Sequence, residues 1–238
     1  MQKRKISLAF YFRTIYYFCK DLFISIGSFS ASKEITMKDC RASLDFFNQT
    51  TLTEMQAIVA ATDYEQLAKA AELICQAKAK GNRLHISGIG KPAHIAGYIA
   101  SLMSSTGTPA YFLHGTEAVH GSCGQLVPGD VVIFISNSGQ TEEMKSTIMA
   151  IKNNGCHVIG VTGGRESWLA QHSDITLYAG VSAEGGPMNR APRASILAET
   201  YVLQALSVLL QDDADVSPRQ YVSWHPGGTL GNLRENEK

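Results

Sequence analysis

The sequence has no surplus of either charge: 21 Lys and Arg stand against 21 Asp and Glu in 238 residues. Nucleic acid and acidic membrane surfaces are held through a basic field, so neither is expected as the main partner. Cysteine is sparse and odd in number. The five (Cys19, Cys40, Cys75, Cys123 and Cys156) form no CxxC pair, which argues against structural zinc and for a reduced, cytoplasmic protein. A clean apolar leader is lacking too. Residues 1–5 are basic and an aromatic-rich run spans 6–26, but Arg13, Lys20 and Asp21 interrupt it and no small-residue cleavage site follows. Residues 1–36 therefore read as a dispensable extension, with Met37 able to open an ordinary domain; a peripheral membrane anchor is the competing reading. Residues 37–238 fit a single domain, and a hydrophobic fraction of 45% suffices for an ordinary core.

From residue 39 to 80 apolar residues recur at helical spacing: Leu44, Phe46 and Phe47, then Met55, Ile58 and Val59, then Leu67, Ala70, Ala71, Ile74 and Cys75. Short strand-like runs follow at 83–87, 108–113, 131–135, 157–162 and 175–178, alternating with helical stretches. Pro92 opens one helix, to about residue 105, and a long one covers about 194–210. This alternation predicts an α/β fold, a doubly wound, mostly parallel five-stranded sheet flanked by helices. Ligands of such sheets bind at the carboxyl ends of the strands, where this chain concentrates Gly, Ser, His and Glu.

The most informative stretch is Ile133-Phe134-Ile135-Ser136-Asn137-Ser138-Gly139-Gln140-Thr141-Glu142-Glu143. An apolar run stops in small hydroxyl residues and a glycine, and helical spacing resumes with Met144, Ile148 and Ile151. A strand, a tight turn and a helix N-terminus are implied, with free amides and the positive end of a dipole facing the turn. Ser136, Ser138 and Thr141 add three hydroxyls around an anion-sized cradle, which suits a phosphate monoester. Serine and threonine are also good caps, but three hydroxyls exceed what a cap requires. No Lys or Arg lies in the turn, so a small phosphate fits better than a polyphosphate with magnesium.

A dinucleotide site is the rival. Gly88-x-Gly90-x-x-Ala93 has the form of the Rossmann fingerprint, but the second strand ends in His114-Gly115-Thr116, with no acid for a ribose hydroxyl. The Gly90-Lys91 pair is no Walker A either, since Pro92 stands where Ser or Thr is needed.

Five ordered segments, SGIGKPAHIA, SSTGTPAYFLHGTEAVHG, ISNSGQTEE, EGGPMNRAPRAS and SWHPGGTLG, make the chain resemble the sugar isomerase (SIS) domain proteins. Within that superfamily it is similar to the arabinose-5-phosphate isomerases of bacterial surface-polysaccharide synthesis, over residues 83–231. The resemblance implies interconversion of D-arabinose 5-phosphate and D-ribulose 5-phosphate. The alternatives are an isomerase of a hexulose or heptose phosphate, or a sensor that binds a sugar phosphate without turnover. The resemblance also implies catalytic roles for Lys91, Glu143, Glu184 and His225, substrate contacts at Gly107, Thr108, His114 and His120, and tetramers with sites at subunit boundaries. No cofactor is required, though His114, with His120 nearby, could take an inhibitory zinc ion. Three departures stand out: Pro92 replaces a family Ser, Arg193-Ala194-Ser195 replaces a hydroxyl run, and the paired CBS modules of many members do not follow HPGGTLG.

Aldose–ketose isomerisation moves a proton between adjacent carbons through an enediol, and needs a carboxylate base, a proton shuttle between oxygens and a grip on the phosphate. Glu143 and Glu142 both suit the first helical turn, and spacing alone does not choose between them; only the resemblance favours Glu143. Glu184 lies in a Gly-rich loop that reads as a flexible lid. Glu117, between two histidines, is a further candidate base. His225 precedes Pro-Gly-Gly and titrates near neutrality, which suits ring opening. Lys91 would neutralise enediolate charge or pair with phosphate. His85, His94, His157 and His172 are expected to be structural or exposed.

Overall fold

A computed structural model describes residues 40–238. Contacts divide the chain into Met1–Cys40 and Arg41–Lys238, and the extension expected over 1–36 lies outside the described residues.

The helical lead-in forms two helices, α1 (Arg41–Ala60) and α2 (Tyr64–Ala79), the second capped by Asp63. The domain then alternates: β1 (Leu84–Gly88), α3 (Lys91–Ser105), β2 (Ala110–His114), β3 (Val131–Ile135), α4 (Glu142–Asn153), β4 (His157–Thr162), α5 (Trp168–His172), β5 (Ile175–Tyr178), α6 (Ala194–Asp213) and α7 (Pro218–Trp224). Every strand pair is parallel, in the order β2-β1-β3-β4-β5. Strand β2 begins two residues later than its apolar run suggests. Thr108 N–H donates to Met103 O (2.9 Å) as part of the turn closing α3, and Pro109, the next residue, has no N–H for a ladder.

Strand alternation sorts the core. Val131, Ile133 and Ile135 face α1, α2, α3 and α6, while Val132 and Phe134 face Met144, Ile148 and Ile151 of α4 and Leu169 of α5. Among the described residues α6 alone is long and apolar enough to cross a membrane, and half of it is buried inside the domain. It is a core helix, with Ala198, Val202, Leu203, Leu206 and Leu210 packed inward.

At the amino edge of the sheet a buried charge locks the strands. Asp130, fully buried, accepts from Arg83 N (2.9 Å) and Val127 N (3.0 Å), and also from the Arg83 guanidinium and Asn82 amide. Burial alone would raise its pKa; the backbone donors, Asn82 and the Arg83 charge outweigh that and hold it below the ordinary aspartate value. His85, also buried, lies 3.3 Å from Asp130 through Nε2. Burial keeps its imidazole below the usual range, against the pull of Asp130.

Candidate active site

The strand order reverses between β1 and β3, so their connections leave on opposite faces of the sheet. Gly88 pairs with Ile135 in register. The turn leading to Lys91 and the turn from Ser136 to Thr141 therefore flank one crevice, the usual ligand position in open α/β sheets.

Helix caps single out this crevice. Asp63 caps α2, Ser167 caps α5 and Ser217 caps α7. Glu184 closes α6 by accepting from Arg193 N (2.6 Å) and Ser195 N (3.2 Å). The two helices that start at the crevice are different. Gly90 precedes α3 without a side chain, and Thr141 at the N-cap of α4 makes no capping bond. Their first-turn amides and dipole ends thus face the crevice uncapped by a side chain.

The cradle hydroxyls are positioned by the turn itself. Ser136 Oγ accepts from Gly139 N (3.2 Å) and Ser138 Oγ from Gln140 N (3.4 Å). Each hydroxyl keeps its own proton to donate. Ser136 is buried, Ser138 exposed and Thr141 intermediate. Gly139 sits at φ 60°, and a Cβ there would collide with Ser167 and Thr162. The turn is pinned from β4 by Gly163 N donating to Asn137 O (2.9 Å).

Glu142 forms an exposed ion pair with Lys145 (2.6 Å), whereas Glu143 has no side-chain hydrogen bond or ion pair among the described residues. The two neighbours thus differ in their side-chain partners, which spacing could not show. Thr147 Oγ1 donates to Gly115 O (2.6 Å) and ties α4 to the loop after β2. This brings His114 and Glu117 to the same edge, with His114 Nδ1 accepting from Glu117 N (3.3 Å) and 3.1 Å from Thr116 Oγ1. His120 is exposed at the end of the short turn Glu117–His120, and Lys91 is exposed at the first position of α3.

Two expectations change. Glu184 is not on a loose lid. Asn189 accepts from Glu184 N (2.7 Å) and Gly185 N (3.1 Å), and Glu54 of α1 accepts from Ser182 N (2.9 Å), Ala183 N (3.0 Å) and the Ser182 hydroxyl. Glu54 and Asn189 were not legible as site residues, because an acid on an amphipathic helix and an Asn in a polar loop are ordinary features. Second, Gly107, Thr108 and His225 do not join the cradle within one chain. Gly107 and Thr108 precede β2, at the amino edge, where Val216, Ala214 and Trp224 crowd Gly107. His225, next to Trp224, is stacked on Tyr221 (4.1 Å) with Nδ1 against Tyr221 O (2.7 Å).

Among the described residues no three His, Cys, Asp or Glu side chains gather as metal ligands, and His114 Nδ1 is already taken.

Residues 77–209 match the SIS domain family. The chain is 42% identical over 149 residues to a Haemophilus influenzae protein named "Probable arabinose 5-phosphate isomerase", covering 63% of this chain and 44% of that one. It is 36% identical over 167 residues to the arabinose 5-phosphate isomerase KdsD of Pseudomonas aeruginosa, covering 70% and 50%. The chain thus spans about half the length of these curated relatives. Among solved structures it is similar to an E. coli CFT073 protein in complex with arabinose 5-phosphate, at 30% identity and a TM-score of 0.70, covering 80% of this chain and all of that one.

Proposed function

The chain belongs to the SIS domain family, and from that we propose that it interconverts D-arabinose 5-phosphate and D-ribulose 5-phosphate through an enediol. The observation that carries the reading is the pair of helix N-termini left without side-chain caps at the switch point, while α2, α5, α6 and α7 are closed by Asp63, Ser167, Glu184 and Ser217. Such an end is a ready anion site. The names of the relatives and the sugar-phosphate complex of the E. coli protein support the choice of sugar phosphate.

With the phosphate on Ser136, Ser138, Thr141 and the α4 amides, the sugar carbons extend toward the first turn of α4. Glu143 removes the C2 proton of the aldose and returns it to C1 of the enediol, while the hydroxyl proton of O2 passes to O1, giving the ketose. Lys91 at the start of α3 offsets the enediolate charge. Glu117 and His114 line the same edge and contact the sugar hydroxyls. His225 opens the furanose ring and is supplied by a second copy of the chain, together with Gly107, Thr108 and His120, in a tetramer whose sites lie at subunit boundaries. The exposed Tyr111 and Phe112 on the edge strand β2 suit such an assembly. The cytoplasm is the proposed setting, consistent with the unpaired thiols of Cys75, Cys123 and Cys156.

Thermal unfolding with added ligand tests the phosphate grip. D-arabinose 5-phosphate is expected to raise Tm in proportion to log concentration, and free D-arabinose to leave it unchanged. Ser138→Ala removes one hydroxyl donor and should raise KM about five- to tenfold with kcat nearly constant. An unaltered KM would sink the cradle assignment.

A further inference from the structure

Glu199 is the one acid on the inward face of α6, and neither the proposed chemistry nor the relatives' names give it a task. Its side chain is wholly buried, and both carboxyl oxygens lack a hydrogen-bond partner among the described residues. Ser195, one turn earlier on the same face, is equally buried and its hydroxyl is equally unpartnered. Ser195 is also one of the two residues whose amide Glu184 caps. Four residues along a helix are about 6 Å of rise, and helical side chains lean toward the N-terminus. Glu199 therefore leans back under the turn on which Glu184 rests.

We infer that Glu199 is a positioning residue for Glu184: as the neutral acid it leaves the Glu184 carboxylate seated on the amino end of α6, and once charged it drives that carboxylate off. The inference rests on the isomerase reading together with the catalytic role for Glu184 that the family resemblance implies. Burial first, and then the nearby charge of Glu184, push the Glu199 carboxyl up to about 8. Among the described residues no cation is hydrogen-bonded to it. Helices α1, α2 and α3 pack against α6: Glu54 of α1 bonds Ser182 and Ala183, Cys75 of α2 bonds Asp213, Tyr98 of α3 bonds Gln204, and Thr51 Oγ1 of α1 is buried without a hydrogen-bond partner. Lys91 and His94 of α3 are exposed. The site thus carries its own alkaline limit.

The sign follows from proton counting. A carboxyl raised on folding holds an extra proton in the native state, so stability falls as pH rises from the ordinary glutamate range and levels above about 8. Activity falls as Glu199 ionises. The test measures kcat/KM for D-arabinose 5-phosphate and Tm from pH 6 to 9.5 for the wild type, Glu199→Gln and Glu184→Gln. Wild-type kcat/KM should drop about tenfold between pH 7 and 9, since a group titrating near 8 is about nine-tenths ionised at pH 9. Glu199→Gln should keep its pH 7 value across that range and lose the fall in Tm. Glu184→Gln, assayed for Tm alone, should move the levelling point to lower pH, because coupling between two groups is reciprocal. A merely structural acid would alter Tm and leave the activity profile in place. Parallel activity profiles for wild type and Glu199→Gln, or a levelling point unmoved in Glu184→Gln, would overturn the inference. Absence of turnover in the wild type would defeat the isomerase reading instead, and the Glu184→Gln unfolding comparison would still decide the coupling.

Discussion

Glu143→Gln is expected to lower kcat by about a thousandfold while the dissociation constant of the sugar phosphate stays within about threefold of wild type. The amide is isosteric and remains in the first turn of α4, so the cradle and the helix keep their geometry. What disappears is the acceptor for the C2 proton, and a positioned base contributes about a hundred- to ten-thousandfold. Glu142→Gln is the matched control. Its carboxylate is in an exposed ion pair with Lys145, so its loss should leave kcat within about twofold and stability within about 0.5 kcal/mol. Stopped assays and calorimetric titration on the three proteins separate binding from chemistry. Unchanged turnover in Glu143→Gln would remove it as the base and shift attention to Glu117.

The second large effect concerns the fold. Asp130→Ala is expected to cost on the order of 3 kcal/mol and lower Tm by about 6–12 °C. The side chain satisfies two backbone amides, Asn82, the Arg83 guanidinium and His85 at once. Truncation strands these donors at the start of β1 and β3. The acid-side behaviour carries the signature. A carboxyl held below its ordinary pKa stabilises fully at neutral pH, and that contribution is lost as pH falls through its folded value. The gap between wild type and variant should therefore be full at pH 7 and narrow below the ordinary aspartate range. His85, held neutral by burial, adds a separate decline as pH falls below about 6.5. Because the cluster lies at the amino edge, kcat at low temperature should survive the substitution. A Tm within about 1 °C of wild type would contradict the assignment.

What the sequence revealed and what it hid have separable causes. The strands β3, β4 and β5 were readable to the residue, because β-branched runs bounded by glycine or polar residues leave little freedom. The cradle was readable for a similar reason: strand, hydroxyl turn and helix are contiguous, so one segment holds the whole geometry. Glu184 was legible as a candidate loop acid but its setting was not, since the Glu54 and Asn189 bonds that fix its loop come from distant or irregular backbone. The wrong-edge position of Gly107, Thr108 and His225 depends on strand direction and on where α7 returns, which local patterns do not encode. Glu199 leaves a trace of its own in the sequence. A lone acid in phase with Ser195, Val202 and Leu206 on an apolar 20-residue helix marks a charge-bearing group facing a core.

The isomerase reading is tested most directly by proton NMR of D-ribulose 5-phosphate in heavy water with chelator-treated protein. The account predicts D-arabinose 5-phosphate appearing with deuterium at C2, since the enediol route exchanges that proton with a base open to solvent. Saturable binding with no conversion and no exchange would contradict it and identify a binding protein instead.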